Sequence, residues 1–225
     1  MKPPSAGIIA LDGPAASGKT TVGRMLAERL GYLFFDTGVM YRAVALAAYQ
    51  SGVNPADEAA VSELAEQISI DVLPSADKDG RTSSVWLDGD DVSWAIREPV
   101  VDASVSKVSA YGRVRAAMVA QQRKIGLRGK VVMVGRDVGT VVLPEADLKI
   151  YLDATLEERA RRRYIELQSR GGSQTLDEVQ AGLSRRDEVD SNRDLSPLRP
   201  AQDAIIIDTT ALTPEEILRT IDPLL

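Results

Sequence analysis

Gly13-Pro14-Ala15-Ala16-Ser17-Gly18-Lys19-Thr20 is the stretch from which the rest of this 225-residue chain can be read. Its eight residues fit G-x-x-x-x-G-K-[ST] without mismatch. Glycines at this spacing let successive backbone N–H groups converge on phosphate oxygens, and the helix that follows adds the favourable end of its dipole. In such a loop Lys19 is expected to reach the outer phosphates and the Thr20 hydroxyl to ligate Mg²⁺. The flanks agree: Ile8 to Leu11 reads as a buried strand, and Val22, Met25, Leu26 and Leu30 share one helical face that Gly31 closes as a C-terminal cap. The alternative, a Gly-rich turn that matches by chance, does not account for those flanks. The loop leaves the reaction class open, because kinases of small molecules, GTPases and ATPases all use it. The GTPase base-reading motif N-K-x-D is absent, since neither Asn54 nor Asn192 precedes a lysine.

Outward from the loop, strand and helix patterns alternate. Tyr32 to Phe35 reads as a second buried strand, followed by a helix from Val39 to about Ser51, and Pro55 is expected to open another with Val61, Leu64, Ala65 and Ile68 in register. Ile68 to Leu73, Ser83 to Leu87 and Asp90 to Ser93 then read as short strands. A polar loop (Pro74 to Arg81) joins the first pair, and Asp88-Gly89 signals a hairpin between the second. A single helix is expected over Val105 to Ile125. Lys130 to Val134, Leu148 to Leu152 and Ala204 to Ile207 are three further buried strands. The helices between and after them start at Thr155 with Glu158, Thr175 with Glu178, and Thr213-Pro214 with Glu216. Gly171-Gly172-Ser173 looks like a flexible tip. The expected fold is therefore α/β: a three-layer, doubly wound parallel sheet of five strands with an inserted antiparallel flap and a lid, all in one domain over 1–225.

Composition narrows the chemistry. With no cysteine and no histidine, disulfides, thiolates, imidazole acid–base catalysis and the usual zinc sites are excluded. Net charge is −6, from 33 acidic and 27 basic residues, so a phosphate-binding protein of this sign has to gather positive charge locally. Of the basic residues 20 are Arg and 7 Lys. Arg forks suit phosphate, although an Arg-favouring genome explains the bias equally well, and position has to decide. Met1 to Gly7 lacks the layout of a secretion signal and no apolar run is long enough to span a membrane, which makes the cytoplasm the expectation.

Four segments bear on an acceptor site. Asp36-Thr37-Gly38-Val39-Met40-Tyr41-Arg42 starts a helix with a hydroxyl, free N–H groups and Arg42 one turn in; an ordinary capped helix with an exposed Arg is the alternative. Gly135-Arg136-Asp137-Val138-Gly139-Thr140 follows a strand at the end where ligands bind in open α/β sheets. There Arg136 would meet a phosphate and Asp137 an exocyclic amine, unless the two simply pair. Arg159, Arg161, Arg162 and Arg163 lie on a helix whose apolar stripe is Leu156, Ala160, Tyr164 and Leu167. Glu157 and Glu158, four residues before Arg161 and Arg162, offer two of the four a solvated pairing. Arg170 marks the mobile tip, and Arg185-Arg186-Asp187 with Asp190-Ser191-Asn192-Arg193 bring a second Arg cluster back.

Taken in order, IALDGPAASGKTT, DTGVMYR, the flap ending in DDVSWAIR, GRDVGTVV, the YLDAT–EERARRR helix and the RRD–NR–PL segment resemble the bacterial cytidylate kinases over nearly the whole chain. The resemblance implies a transferase moving the γ-phosphoryl of ATP to CMP or dCMP, in pyrimidine nucleotide metabolism, with Mg²⁺ as cofactor and no nucleic-acid or membrane partner, working as a monomer. It implies that Gly13, Pro14, Ala15, Ala16, Ser17, Gly18, Lys19, Thr20 and Thr21 hold the ATP phosphates, with lid arginines Arg159 and Arg163 joining Lys19 and Arg136 in catalysis. Thr37, Arg42, Arg136, Arg186 and Arg193 would hold the CMP phosphate and sugar. Ser106, Arg115 and Asp137 would read cytosine, with Asp190 near the ribose. The nucleotide-binding insert would span 37–129, its flap about 68–97, and the lid 155–195. One departure stands out: the family often has Asp before the GRD glycine, where this chain has Val134. No carboxylate metal ligand is assigned there. A kinase of UMP, AMP or shikimate, and a nucleotide-dependent switch, stay open at this stage; an RNA-binding module is disfavoured by the acidic charge and sparse aromatics.

Overall fold

A computed structural model describes residues 7–75, 81, 83–169, 171–193 and 195–225. Most of the loop between the first two flap strands, and Arg170, lie outside the described residues. Five parallel strands form the main sheet: β1 (Ile8–Asp12), β2 (Leu33–Asp36), β6 (Val131–Val134), β7 (Leu148–Asp153) and β8 (Ile205–Asp208), in the order β2-β6-β1-β7-β8. Their near-continuous apolar character follows from burial on both faces. Ile9 and Leu11 pack toward α1 (Lys19–Leu30) and α8 (Pro214–Ile221). Ala10, Val131 and Met133 pack toward α2 (Gly38–Gln50), α3 (Glu58–Gln67), α4 (Pro99–Val108) and α5 (Gly112–Gly126). Helix α1 comes unusually close to the sheet at Gly23, where a Cβ would stand 2.6 Å from Val134 Cγ2. The outermost strand departs from expectation: Ile205 and Ile206 are exposed, because β8 has one neighbour and only Ile207 reaches the α8 side of the core.

The flap is an antiparallel sheet of β3 (Ile70–Pro74), β4 (Ser83–Leu87) and β5 (Asp90–Asp91). Its tight turn has Asp88 and Gly89 at φ 50° and 95°, the left-handed pair that the Asp-Gly signal predicts. The third strand is shorter than expected. Ser93 folds back instead, its Oγ accepting from Val85 N–H at 2.8 Å and donating to Asp91 Oδ1 at 2.6 Å.

Two helices differ from the sequence reading. The helix expected from Pro55 begins at Glu58, since Asp57 caps it by accepting from Ala60 N–H at 3.1 Å, and it ends before Ile68, which is extended. The helix expected over Val105 to Ile125 is two, α4 and α5, broken at Ser109–Tyr111. Pro99 opens the first, Tyr111 is extended, and Gly112 starts the second under Leu195. Helices α6 (Leu156–Ser169) and α7 (Leu176–Asn192) pair over Ala160, Val179 and Leu183, with Leu156, Tyr164 and Leu167 along the seam. Full capping boxes start α7 at Thr175 and α8 at Thr213. At Thr155 only half the box forms, because Glu158 turns its carboxylate to Arg161 and Arg162.

Candidate active site

The loops that matter leave the C-terminal ends of β1, β2, β6, β7 and β8, and connections on either side of β1 run in opposite directions. That reversal opens a crevice above the sheet. The phosphate loop occupies its centre. Gly13 takes φ 146°, and a Cβ there would stand 2.0 Å from the Leu152 carbonyl oxygen, so only glycine lets β1 turn beside β7. Gly18 is left-handed at φ 95°, and the first turn of α1 has neither a side-chain cap nor an acidic residue, which leaves its N–H groups for an anion. Thr20 and Thr21 are exposed at that end, and the Thr20 hydroxyl is 3.4 Å from Asp36 Oδ2.

Lys19 is buried and curls over its own loop, donating to the Pro14 carbonyl at 2.5 Å and lying 3.3 Å from Ser17 Oγ. Burial holds its pKa well below the usual lysine range and Arg136 pushes the same way, opposed by Asp36 and Asp12. Lys19 and Arg136 thus sit close enough to repel, an arrangement that an anion between them relieves.

Facing the loop, four guanidiniums share two carboxylates. Arg136 Nε donates to Asp190 Oδ2 at 3.1 Å, Arg193 reaches Asp190 at 3.4 Å, and Arg186 approaches it at 3.9 Å. Arg115 pairs with Asp137 at 2.8 Å, both buried, and lies 5.2 Å over the Tyr41 ring. Arg136 and Asp137 therefore do not pair with one another. Two donors of this cluster, Arg115 Nε and Arg193 Nη2, are buried without a hydrogen-bond partner. Arg193 is pulled below the ordinary Arg pKa by burial first and Arg115 second. Unpaired buried donors beside repelling cations are costly on their own and favour an anionic, acceptor-rich ligand.

The remaining expected residues sit differently. The Thr37 hydroxyl is buried and donates to the Val134 carbonyl at 3.0 Å, beneath Gly135, where a Cβ would meet Thr37 Oγ1 at 2.8 Å. Arg42 is not an idle surface group: it donates to the Ile96 carbonyl at 3.0 Å and pairs with Asp102 at 2.6 Å, tying α2 to the turn after the flap and to α4. Ser106 lies exposed on α4, and no hydrogen bond among the described residues joins it to the Arg115–Asp137 pair. Arg159 is buried, its donors on the Ala154 and Ala15 carbonyls and on Asp187 at 2.6 Å. Arg163 is half exposed and pairs with Glu166. Arg161 and Arg162 both take Glu158, at i+3 and i+4, so Glu157 is not the partner that spacing suggested. Their bonds draw the Glu158 carboxyl down to about 2. Val134 faces Gly23 in the α1 layer, so its side chain is turned away from the crevice.

Two residues escaped the sequence reading. Asp12, buried at the end of β1, accepts from Val138 N–H at 2.9 Å and Gly139 N–H at 2.7 Å, fixing the turn (Val138–Val142) that follows Arg136 and Asp137. Its carboxyl is raised from the usual 3.8 to about 6, by burial above all. The signal was an acid abutting the first loop glycine. Thr209, fully buried after β8, reaches the phosphate loop at Ser17 O, 3.1 Å away; an Asp-Thr-Thr run closing the last parallel strand was its only mark.

A family model described as cytidylate kinase matches residues 9–224. A cytidylate kinase of Chloroflexus aggregans is 55% identical over 208 residues, covering 92% of this chain and 89% of the relative. One from Roseiflexus castenholzii is 49% identical over 219 residues, 97% and 92% of the two chains. A third, from Herpetosiphon aurantiacus, is 48% identical over 213 residues, 95% and 91%. A match of that extent, spanning the phosphate loop, the insert and both Arg-bearing helices, places this chain in the cytidylate kinase family.

Proposed function

We propose that the protein transfers the γ-phosphoryl group of ATP to CMP or dCMP, releasing ADP and CDP or dCDP. The carrying observation is the arc of four guanidiniums on two carboxylates, with two buried donors unpaired, set across from a phosphate loop whose lysine feels Arg136. The acceptor's attacking phosphate oxygen is already anionic, so no general base is required, and a chain without histidine loses nothing. What the reaction requires is in-line placement and neutralisation of two phosphates that repel each other. Lys19, Arg136 and Arg186 supply that charge, while Arg193 and Asp190 hold the acceptor's phosphate and sugar. Asp137 keeps one oxygen beyond Arg115 for the exocyclic amine of cytosine, with Arg115 Nε beside it.

The Thr20 hydroxyl and the Asp36 carboxylate, 3.4 Å apart, form a hard oxygen pair suited to Mg²⁺, phosphate oxygens and water filling the remaining positions. Such an ion would screen the charge of the donor phosphates. The insert, 37–129, and the lid, 155–195, close over the two nucleotides and exclude water. A monomer in the cytoplasm belongs to the same proposal: one chain builds both sides of the crevice, and no helix among the described residues is long and apolar enough to cross a membrane.

The test is ADP release from ATP and Mg²⁺ with CMP, dCMP, UMP, AMP, GMP and shikimate as acceptors. Turnover is expected with CMP and dCMP foremost. Intact ATP binding without acceptor-dependent turnover would instead leave a nucleotide switch.

A further inference from the structure

We infer that Thr209 and Arg159 are positioning residues of the donor site, which hold carbonyls of the phosphate loop turned outward so that its N–H groups face the ligand. In a trans peptide the C=O and the following N–H point in opposite directions. Fixing the carbonyls of Ala15 and Ser17 therefore aims the N–H groups of Ala16 and Gly18. Both carbonyls are held by side chains from outside the loop: Ala15 by Arg159 Nη1 at 3.3 Å and Ser17 by Thr209 Oγ1 at 3.1 Å. No backbone acceptor among the described residues takes the N–H of Ala16 or Gly18.

Thr209 is placed for this task. Its own N–H donates to the Asp153 carbonyl at 2.7 Å, and Arg162 of α6 donates to its carbonyl at 2.5 Å and its hydroxyl at 3.1 Å. With Arg162 filling its acceptor side, the hydroxyl hydrogen is left to the carbonyls of Ser17 and Asp153, the latter 2.9 Å away. Neither Thr209 nor Arg159 lies on the loop; one comes from the end of β8 and the other from the lid helix, so the loop's shape is imposed from outside its own sequence.

The inference rests on the kinase reading, and the experiment separates the two. ADP binding by calorimetry and KM for ATP and CMP are compared in wild type, Thr209→Val and Thr209→Ser. The valine variant is expected to bind ADP about tenfold more weakly, as for one lost hydrogen bond, and to raise KM for ATP alike. KM for CMP should stay put, and the serine variant should restore ADP binding. Should the valine variant not fold, Thr209→Ala is read the same way. Wild-type affinity for ADP in the valine or alanine variant, equal losses for ATP and CMP, or no rescue by serine would overturn the positioning role. Wild-type protein that binds no ADP would bring down the kinase reading and this inference with it.

Discussion

The proposed donor and acceptor halves of the crevice would solve the same electrostatic problem with different parts. On the donor side the structure offers backbone: an uncapped helix end and a loop whose shape requires glycine at Gly13 and Gly18. On the proposed acceptor side it offers side chains, with Arg115, Arg136, Arg186 and Arg193 drawn from α5, the β6 loop and the end of α7. Backbone recognition cannot be dispersed along a chain, whereas guanidinium recognition can. The first is rigid and contiguous; the second depends on buried charge pairs that each need a partner.

Removing the one cation of the donor loop should have the largest effect. Lys19→Met is expected to cut turnover by about two orders of magnitude or more, as for loss of a preorganised charge on the transferring group. Because burial already disfavours the charged amine, the fold should survive, which circular dichroism checks. Turnover near wild type would sink the role given to Lys19 and with it the kinase reading of the loop.

The acceptor half should respond in stability as well. Arg115 and Asp137 are each under a tenth exposed, so Asp137→Ala leaves a buried guanidinium unpaired. A loss of about 3–5 kcal/mol is expected in denaturant titrations, along with a reduced preference for CMP over UMP. The double change Arg115→Met with Asp137→Leu should recover much of the stability and none of the base preference. If Asp137→Ala unfolds as late as wild type, the pair is better hydrated than its burial implies.

This division also explains what could be read from sequence. The parallel sheet, the Asp-Gly hairpin, two capping boxes and the phosphate loop are local patterns, each set by a few adjacent residues. The break between α4 and α5 was missed because Ser109–Tyr111 interrupts an otherwise continuous apolar period, and the bond that ties it down, Tyr111 Oη donating to the Pro55 carbonyl, comes from far away in the chain. Arg136 was singled out by its place after a strand, and Arg186 and Arg193 as a second Arg cluster, whereas Arg115 entered only through resemblance, since nothing in a linear pattern says that Arg115 meets Asp137. Asp12 and Thr209 were missed for the same reason: each acts on a loop far away in the chain.

Asp12 joins the two halves and should show it through pH. Its carboxyl sits at about 6, raised by burial and held back by the N–H groups of Gly139 and Val138; the Asp137 charge raises it further and Lys19 lowers it. A raised carboxyl costs the folded state progressively as pH climbs from the usual 3.8 through about 6. Asp12→Asn removes that cost, so the melting-temperature difference should move in the variant's favour over this interval. Activity runs the other way. Below about 6 the protonated group accepts one N–H less, and wild-type turnover should fall several-fold. The asparagine variant should be low throughout, with only the acid limb of the acceptor phosphate, whose second proton also titrates near about 6. A variant that keeps the full wild-type limb would remove Asp12 from the account.

The smallest effect tests whether a cluster of arginines is a site because it is a cluster. Arg159, Arg161, Arg162 and Arg163 are nearly consecutive, yet they face four different surroundings: the loop carbonyl at Ala15, solvent beside Glu158, the Thr209 carbonyl, and Glu166. Arg161 is more than half exposed, and its carboxylate keeps Arg162 when it is gone. Arg161→Ala should therefore change stability by less than about 1 kcal/mol and leave KM for ATP as it was. Arg162→Ala, which frees the Thr209 hydroxyl from its donor, should weaken ATP. If the two substitutions prove equivalent, charge density on the helix governs ATP binding, and the distinction between a placed guanidinium and a solvated one fails at the point where the structure draws it most clearly.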